Sequence, residues 1–214
     1  MSIDRIGVIR VLSSDNQAFL DMHQNIMQQA VPDKQWQTKA LWDQPNGIHD
    51  EETLTQALPK IYQLGSLWSS DVDMLVVSCA ADPGVETLRE SLKIPVIGAG
   101  QSCCKIAKRY GTTIGVLGLE PLAPDVFYRE LSDCSVIYRQ PIHVNCTHDI
   151  HTPLGQASII DAALECEALG AQVIALACTG MATVDIAGLL ASHISLPVIN
   201  PVLAAGMCIT DQSF

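Results

Sequence analysis

The chain repeats a series of short apolar segments, and this repeat restricts its possible folds more than any other feature. Three landmarks recur in the same order: an apolar opening segment, an apolar run that ends in cysteine, and an apolar segment that contains Pro-Val-Ile. They lie at 6–9, 74–79 and 94–97 in the first half, and at 114–117, 173–178 and 196–199 in the second. Three matching landmarks in one order indicate an internal duplication.

The apolar segments are continuous runs, which are typical of parallel strands buried on both faces of a sheet. Helical stretches separate them, so the sequence predicts βαβ units with right-handed crossovers. We therefore predict an α/β fold of two pseudo-symmetric, doubly wound lobes. Each lobe has a central, mainly parallel sheet, and the active site lies in the cleft between the lobes. Lobe one is assigned to residues 1–100 plus 199–214, and lobe two to residues 101–198.

Helices are predicted where apolar residues recur with helical spacing, as Phe19, Met22 and Ile26 do. The predicted helices cover 16–30, 51–68, 84–92, 102–110 and 154–169. A break is expected near Pro59, because proline removes a hydrogen bond inside a helix. The tail, 201–214, is predicted to form a last helix that packs back on lobe one.

Composition restricts the partners. The net charge is -11, and charged residues make up only 16% of the chain. An acidic chain disfavours nucleic acid and anionic membranes as partners. Residues 1–10 predict a strand rather than a signal peptide, and no apolar stretch has the length of a membrane span. We expect a cytoplasmic protein with free thiols, and the sequence leaves open whether it forms a homo-oligomer.

Two of the eight cysteines lie where a ligand is expected. Ligands of parallel sheets bind at the carboxyl ends of the strands, which is where Cys79 and Cys178 lie. The residues that follow are small enough for a ligand to approach the backbone: Ala80 and Ala81 in lobe one, and Thr179 and Gly180 in lobe two. A helix that begins beside a thiol is expected to lower the pKa of that thiol.

Opposed thiols suit one kind of chemistry, the inversion of a carbon next to a carbonyl. One thiolate removes the proton, and the other thiol returns a proton to the opposite face without a metal or organic cofactor. Backbone N–H groups and the Thr179 hydroxyl would stabilise the carbanion. A single cysteine at a strand end is more often a packing residue, but the symmetric placement of Cys79 and Cys178 favours catalysis.

The residues around both cysteines resemble a known superfamily. The stretches 78–84 and 177–182 are similar to motifs of the aspartate/glutamate/hydantoin racemases, and the hydantoin and allantoin racemase branch is the most similar. The resemblance implies a cofactor-independent racemase with Cys79 and Cys178 as its acid/base pair. It implies a small-molecule substrate, most simply a 5-substituted hydantoin or allantoin.

Two positions depart from patterns in that superfamily. Gly180 and Met181 stand where glutamate and aspartate racemases tend to have His after Cys-Thr, which argues against an amino-dicarboxylate substrate. Hydantoin racemases usually carry Asn-Pro-Asn after the first strand, but this chain has Ser13 and Ser14 there. We predict that these two serines bind the substrate. Gly98, in a tight turn after a strand, is also predicted to lie beside it.

Several other residues have predicted roles. Asp82 is expected to cap a helix that begins near Pro83. Glu120 is expected to supply a polar group opposite the two serines. The loop 141–153 holds three His residues with Cys146, but no second ligand cluster accompanies them, so we predict a loop at the cleft mouth and no metal site.

Other functions remain open on the same frame. The superfamily also includes amino-acid racemases of the aspartate and glutamate type, a maleate cis–trans isomerase and an arylmalonate decarboxylase. The decarboxylase uses a single cysteine, so the presence of two argues most strongly against that reaction. A non-catalytic small-molecule binding protein built from the same two lobes is a further alternative.

Overall fold

The computed structural model describes residues 3–211, and it contains two parallel sheets of four strands each. The first half comprises β1 (Arg5–Arg10), α1 (Gln17–Gln28), β2 (Gln35–Ala40), α2 (Glu51–Trp68), β3 (Met74–Ser78), α3 (Val85–Ser91), β4 (Val96–Gly98) and α4 (Ala99–Ala107). The second half comprises β5 (Thr113–Leu117), α5 (Asp125–Glu130), β6 (Ser135–Arg139), a 3₁₀ turn (Asp149–His151), α6 (Pro153–Ala168), β7 (Val173–Leu176), α7 (Gly180–Thr183), α8 (Ile186–Ala191), β8 (Val198–Ile199) and α9 (Pro201–Thr210).

The two sheets have the same topology. The strand order is β2-β1-β3-β4 in the first and β6-β5-β7-β8 in the second, and every neighbouring pair is parallel. The predicted α/β fold with two similar lobes is therefore confirmed. Central strands β3 and β7 are buried along their whole length, whereas the edge strand β2 alternates between exposed and half-buried residues. Burial on both faces explains why the central strands are continuous apolar runs.

The helix α9 joins the two halves. Its residues Val202, Ala205 and Ile209 pack in a cluster with β1 and β3, while Ala204 and Cys208 pack in a cluster with β5 and β7. The predicted last helix is therefore present, and it contacts α1 as well as α4. Residues 212–214 of the predicted tail helix lie outside the described residues. The assignment of chain segments to lobes stays a prediction. No helix among residues 3–211 has the length and apolarity needed to cross a membrane.

The helix α2 runs unbroken through Pro59, so the predicted break is wrong. Proline removes only one backbone hydrogen bond, and the ends of the helix are firmly held. At its start, the Asp50 side chain accepts from the Thr53 N–H at 2.8 Å, and Thr53 Oγ1 accepts in return from the Asp50 N–H. Near its end, Ile61 and Trp68 are buried in the core of the first half. Capping and burial together outweigh the lost bond.

Asp82 caps a different helix from the one predicted. The residue before α3 is Gly84, and no side chain caps that helix. The Asp82 carboxylate instead accepts from the backbone N–H groups of Gly100 and Gln101, each at 2.7 Å. These are donors of the first turn of α4, so α4 begins three residues earlier than predicted, at Ala99. The loop after Cys79 is thereby fixed to α4.

The position of Gly98 follows from this cap. A Cβ added to Gly98 would overlap the carboxylate of Asp82. Glycine is therefore required here because the Asp82 side chain crosses directly over the backbone on its way to α4. The close approach accounts for glycine at this position, and the predicted contact of Gly98 with a substrate stays a prediction.

We predict that Gly98→Ala lowers the free energy of unfolding by about 1–3 kcal/mol, because the new methyl group displaces the Asp82 carboxylate. Urea denaturation would measure the change. The control is the same substitution in an Asp82→Ala background, where the clashing atoms are gone and the added cost should be much smaller. An equal cost in both backgrounds would show that the overlap with Asp82 is not the cause.

Candidate active site

One cleft between the two halves receives the carboxyl ends of strands from both sheets. Its volume is about 180 Å³. Cys79 lies just beyond β3 and Cys178 just beyond β7, and both half-buried side chains line the cleft. Among the residues predicted to bind substrate, the structure brings four to the same cleft: Ala80, Ala81, Thr179 and Gly180.

The backbone around each cysteine turns its N–H groups toward the sulfur. At Cys79, the N–H of Ala81 donates toward the thiol, and the Asp82 N–H closes the turn onto the Cys79 carbonyl at 3.1 Å. At Cys178, the N–H groups of Gly180 and Met181 both point to the thiol. Such donors stabilise negative charge that appears on the sulfur.

Gly180 is required by the close packing of this corner. A Cβ added there would overlap the Thr147 methyl group and lie 3.3 Å from Cys178 Sγ. The space that a side chain would take is occupied by the loop that covers the second cysteine. Glycine therefore lets Thr147 and Cys178 share one wall of the cleft.

The pKa values of both thiols are raised above that of an ordinary cysteine. Burial raises the pKa of Cys79 to about 12, and the neighbouring charges of Asp82, Cys178 and Glu120 add to the effect. Burial also raises the pKa of Cys178 to about 11, again with a contribution from Glu120. Desolvation outweighs the backbone donors at each site. The expected lowering of the pKa by a helix start is therefore wrong here, and both groups are neutral thiols near pH 7.

Three residues predicted to contact the substrate are not among those that line the cleft. Ser13 Oγ accepts from the Gln44 N–H at 3.1 Å, and Ser14 Oγ accepts from the Asn16 N–H at 3.1 Å. These bonds hold the loop after β2 and the start of α1. Gly98 lies beneath the Asp82 carboxylate, as described above.

Lobe one contributes a polar cluster that the sequence analysis missed. Arg10 ends β1 and pairs in register with Ser78, the residue before the catalytic candidate Cys79. His23 of α1 places Nδ1 2.8 Å from Ser78 Oγ, and all three side chains are buried at the cleft. Polar residues at the ends of buried strands were the available signal, since such residues are seldom buried without a role.

Lobe two supplies a different wall. Glu120 lines the cleft, where burial raises the pKa of its carboxyl group and His49 opposes that shift. Its predicted position opposite Ser13 and Ser14 stays a prediction. The Tyr138 hydroxyl donates to the Glu120 carbonyl, and Gln140 Nε2 donates to the Leu119 carbonyl at 2.7 Å. These bonds fix the segment that carries the carboxylate.

The loop 141–153 reaches the cleft through Thr147 and His151. Asp149 organises this loop, since its carboxylate accepts from the backbone N–H groups of Asn145 and Cys146. Across residues 3–211, no three His, Cys, Asp or Glu side chains are grouped so that they could hold a metal ion. Of the three histidines in this loop, His151 lines the cleft.

Two similar α/β lobes with a cysteine at each equivalent strand end define the class of protein. The chain belongs to the Asp/Glu/Hydantoin racemase family, whose model matches residues 6–207. No curated protein sequence matches it significantly.

Solved structures share the fold across nearly the whole chain. An allantoin racemase from Klebsiella pneumoniae has a TM-score of 0.83 at 20% identity, covering 98% of this chain and 87% of its own. An allantoin racemase from Pseudomonas fluorescens has a TM-score of 0.79 at 19% identity, covering 98% and 90%. A glutamate racemase from Bacillus anthracis has a TM-score of 0.76 at 13% identity, covering 98% and 81%. At these identities the likeness establishes the fold.

We predict that alkylation of Cys79 and Cys178 by iodoacetamide accelerates about tenfold per pH unit between about pH 7 and 10. The thiolate is the reactive form, and pKa values of about 12 and about 11 leave only a small thiolate fraction throughout this range. Peptide mass spectrometry would follow each site, with the exposed Cys146 as an internal reference for the reagent. A rate that levels off near neutral pH would contradict the raised pKa values.

Proposed function

We propose that the protein is a cofactor-independent racemase that inverts a carbon next to a carbonyl by proton transfer between Cys79 and Cys178. The observation that carries the proposal is the equivalence of the two thiols. Each follows a central strand of its sheet, each lines the same cleft, and each has at least one backbone N–H directed at its sulfur.

The proposed reaction needs one thiolate and one thiol, so the reactive form has lost one thiol proton to solvent and is a minor form at neutral pH. The thiolate takes the proton from the substrate carbon, and the electron pair of that C–H bond moves into the adjacent carbonyl as an enolate. The second thiol then donates its proton to the opposite face of the carbon. The two cysteines exchange protonation states in each turnover, so the opposite enantiomer uses the same pair in reverse.

The electrostatics of the cleft support this division of roles. Each group raises the cost of ionising its neighbours, since the charges of Cys178 and Glu120 both raise the pKa of Cys79. Two thiolates in one buried cleft are therefore disfavoured, which leaves the second cysteine protonated and ready to donate. A thiolate with a raised pKa is also a stronger base toward a weak carbon acid.

We propose a 5-substituted hydantoin or allantoin as the substrate. Family membership and the likeness to two allantoin racemases support a carbon acid of this kind. Phe19, Leu119 and Leu122 supply apolar surface for a ring in the cleft that also contains Cys178. Thr179 offers a hydroxyl at the same corner for the developing enolate.

We predict that Cys79→Ser and Cys178→Ser each lower the racemisation rate by at least about a hundredfold, because a serine hydroxyl is a far weaker proton acceptor. Single enantiomers of hydantoins and allantoin would be incubated in heavy water, and optical rotation and deuterium uptake would be followed. Each single variant keeps a base on one face only, so any remaining deuterium exchange should be restricted to one enantiomer, and the favoured enantiomer should differ between the variants.

The matched control is Cys134→Ser, which removes a half-buried thiol outside the cleft and should leave the rate unchanged. Aspartate and glutamate enantiomers belong in the same assay, since racemisation of these alone would identify an amino-acid racemase. A protein that binds these compounds without exchange or inversion would be a binding protein. Full activity in both cleft variants would refute the two-thiol mechanism.

A further inference from the structure

Arg10 is a buried cation that faces the cleft. Its side chain is 2% exposed, and Nη1 donates to the Phe19 and Leu20 carbonyls at 3.1 and 2.8 Å. The guanidinium lies 5.1 Å from the centre of the Phe19 ring. Burial lowers the pKa of Arg10 to about 10, so the group carries its charge at neutral pH.

This charge has no ionic partner in the described part of the chain. No carboxylate among residues 3–211 lies within 4 Å of it, and Asp21 influences it only at longer range. Nε and Nη2 have no hydrogen-bond acceptor there either, since both described bonds use Nη1. A buried charge is costly unless it is paired. The chain carries 23 acidic residues, so the missing anion does not reflect a shortage of carboxylates.

His23 provides a second, independent observation at the same wall. The side chain is 1% exposed and lines the cleft, and its Nε2 has no hydrogen-bond partner. The Thr179 carbonyl is near enough to favour protonation of the His23 ring, but it does not accept a hydrogen bond from Nε2. Burial, followed by the charge of Arg10, lowers the pKa of His23 well below its ordinary value and keeps the ring neutral.

The neutral ring can still act as a donor. If the Ser78 hydroxyl donates to Nδ1, the ring proton resides on Nε2. The same wall of the cleft then offers unused N–H groups of Arg10 and an N–H of His23. A planar anion with two oxygens matches this set of donors, because guanidinium and carboxylate groups pair through parallel hydrogen bonds.

We propose that Arg10 and His23 bind a carboxylate of the substrate, so that the enzyme acts on carbon acids that carry an anionic substituent. This inference rests on the proposed function and deepens it, since it selects among 5-substituted hydantoins those with an acidic side chain. Arg10 supplies the charge, His23 supplies one further donor, and Ser78 positions the His23 ring.

The test compares two substrates of nearly equal shape, 5-carboxymethylhydantoin and 5-carbamoylmethylhydantoin, which differ in charge. The wild-type protein should racemise the carboxylate with a kcat/KM at least about tenfold higher, as expected for a charged hydrogen-bonding pair. Arg10→Gln should reduce this ratio to near one, whereas Arg10→Lys should retain part of the preference because the charge remains. A wild-type preference for the carbamoyl compound would overturn the inference without any variant.

His23 is tested by a matched pair of variants. His23→Asn can keep a contact with Ser78 but removes the donor at Nε2, whereas His23→Gln reaches toward the Nε2 position. The asparagine variant should raise KM for the carboxylate several-fold with a smaller change in kcat, and the glutamine variant should restore part of the loss. Equal effects of each substitution on both substrates would show that Arg10 and His23 only support the fold.

The failure of this inference differs from failure of the proposed function. If both hydantoins are racemised and Arg10→Gln leaves their ratio unchanged, the carboxylate site is wrong while the racemase proposal stands. If neither is racemised, calorimetric titration with succinate decides the matter. Binding by the wild-type protein that is lost in Arg10→Gln supports the anion site, and equal or absent binding overturns it.

Discussion

The burial of both faces of each sheet is the constraint on which the rest of the structure depends. Strands such as β3 and β7 have no solvent-facing side, so polar side chains can appear only where a strand ends. The two sheets have the same strand order, and this places Cys79 and Cys178 at equivalent ends above one cleft. The helix α9 packs into clusters of both halves and keeps those ends facing each other.

The same burial determines the chemistry of the cleft. It raises the pKa of both thiols above that of an exposed cysteine, although backbone N–H groups are directed at each sulfur. The donors therefore do not produce a standing thiolate. In the proposed reaction, they lower the free-energy cost of a thiolate that forms after the substrate has displaced water. Two protonated, weakly acidic thiols of this kind are better suited to exchanging one proton than to nucleophilic attack.

Sequence patterns predicted the structural elements that depend on neighbouring residues or on the internal repeat. Continuous apolar runs identified the central strands, and the repeat identified the paired cysteines. The patterns failed where a side chain acts on a distant segment. Asp82 caps α4 across 18 residues, a distance in sequence that no local capping rule covers. Pro59 is tolerated because burial of the facing residues holds α2 together. Ser13 Oγ accepts a hydrogen bond from the Gln44 N–H, which only the folded loop shows, and its predicted contact with a substrate stays a prediction.

Arg10 and His23 could not be found from the repeat, because the repeat pairs the cysteines but does not extend to the walls of the cleft. The duplication makes the two cysteines alike, but the walls beside them differ. Lobe one presents a cation and a neutral imidazole, while Glu120 of lobe two presents a carboxyl group. A racemase must accept both enantiomers, so its two bases should be equivalent, yet it must also hold the substrate in one place while the proton crosses. In the proposed mechanism, equivalent thiols between unequal walls satisfy both requirements, because an anchored anionic group leaves the reacting carbon free to invert between the two sulfurs.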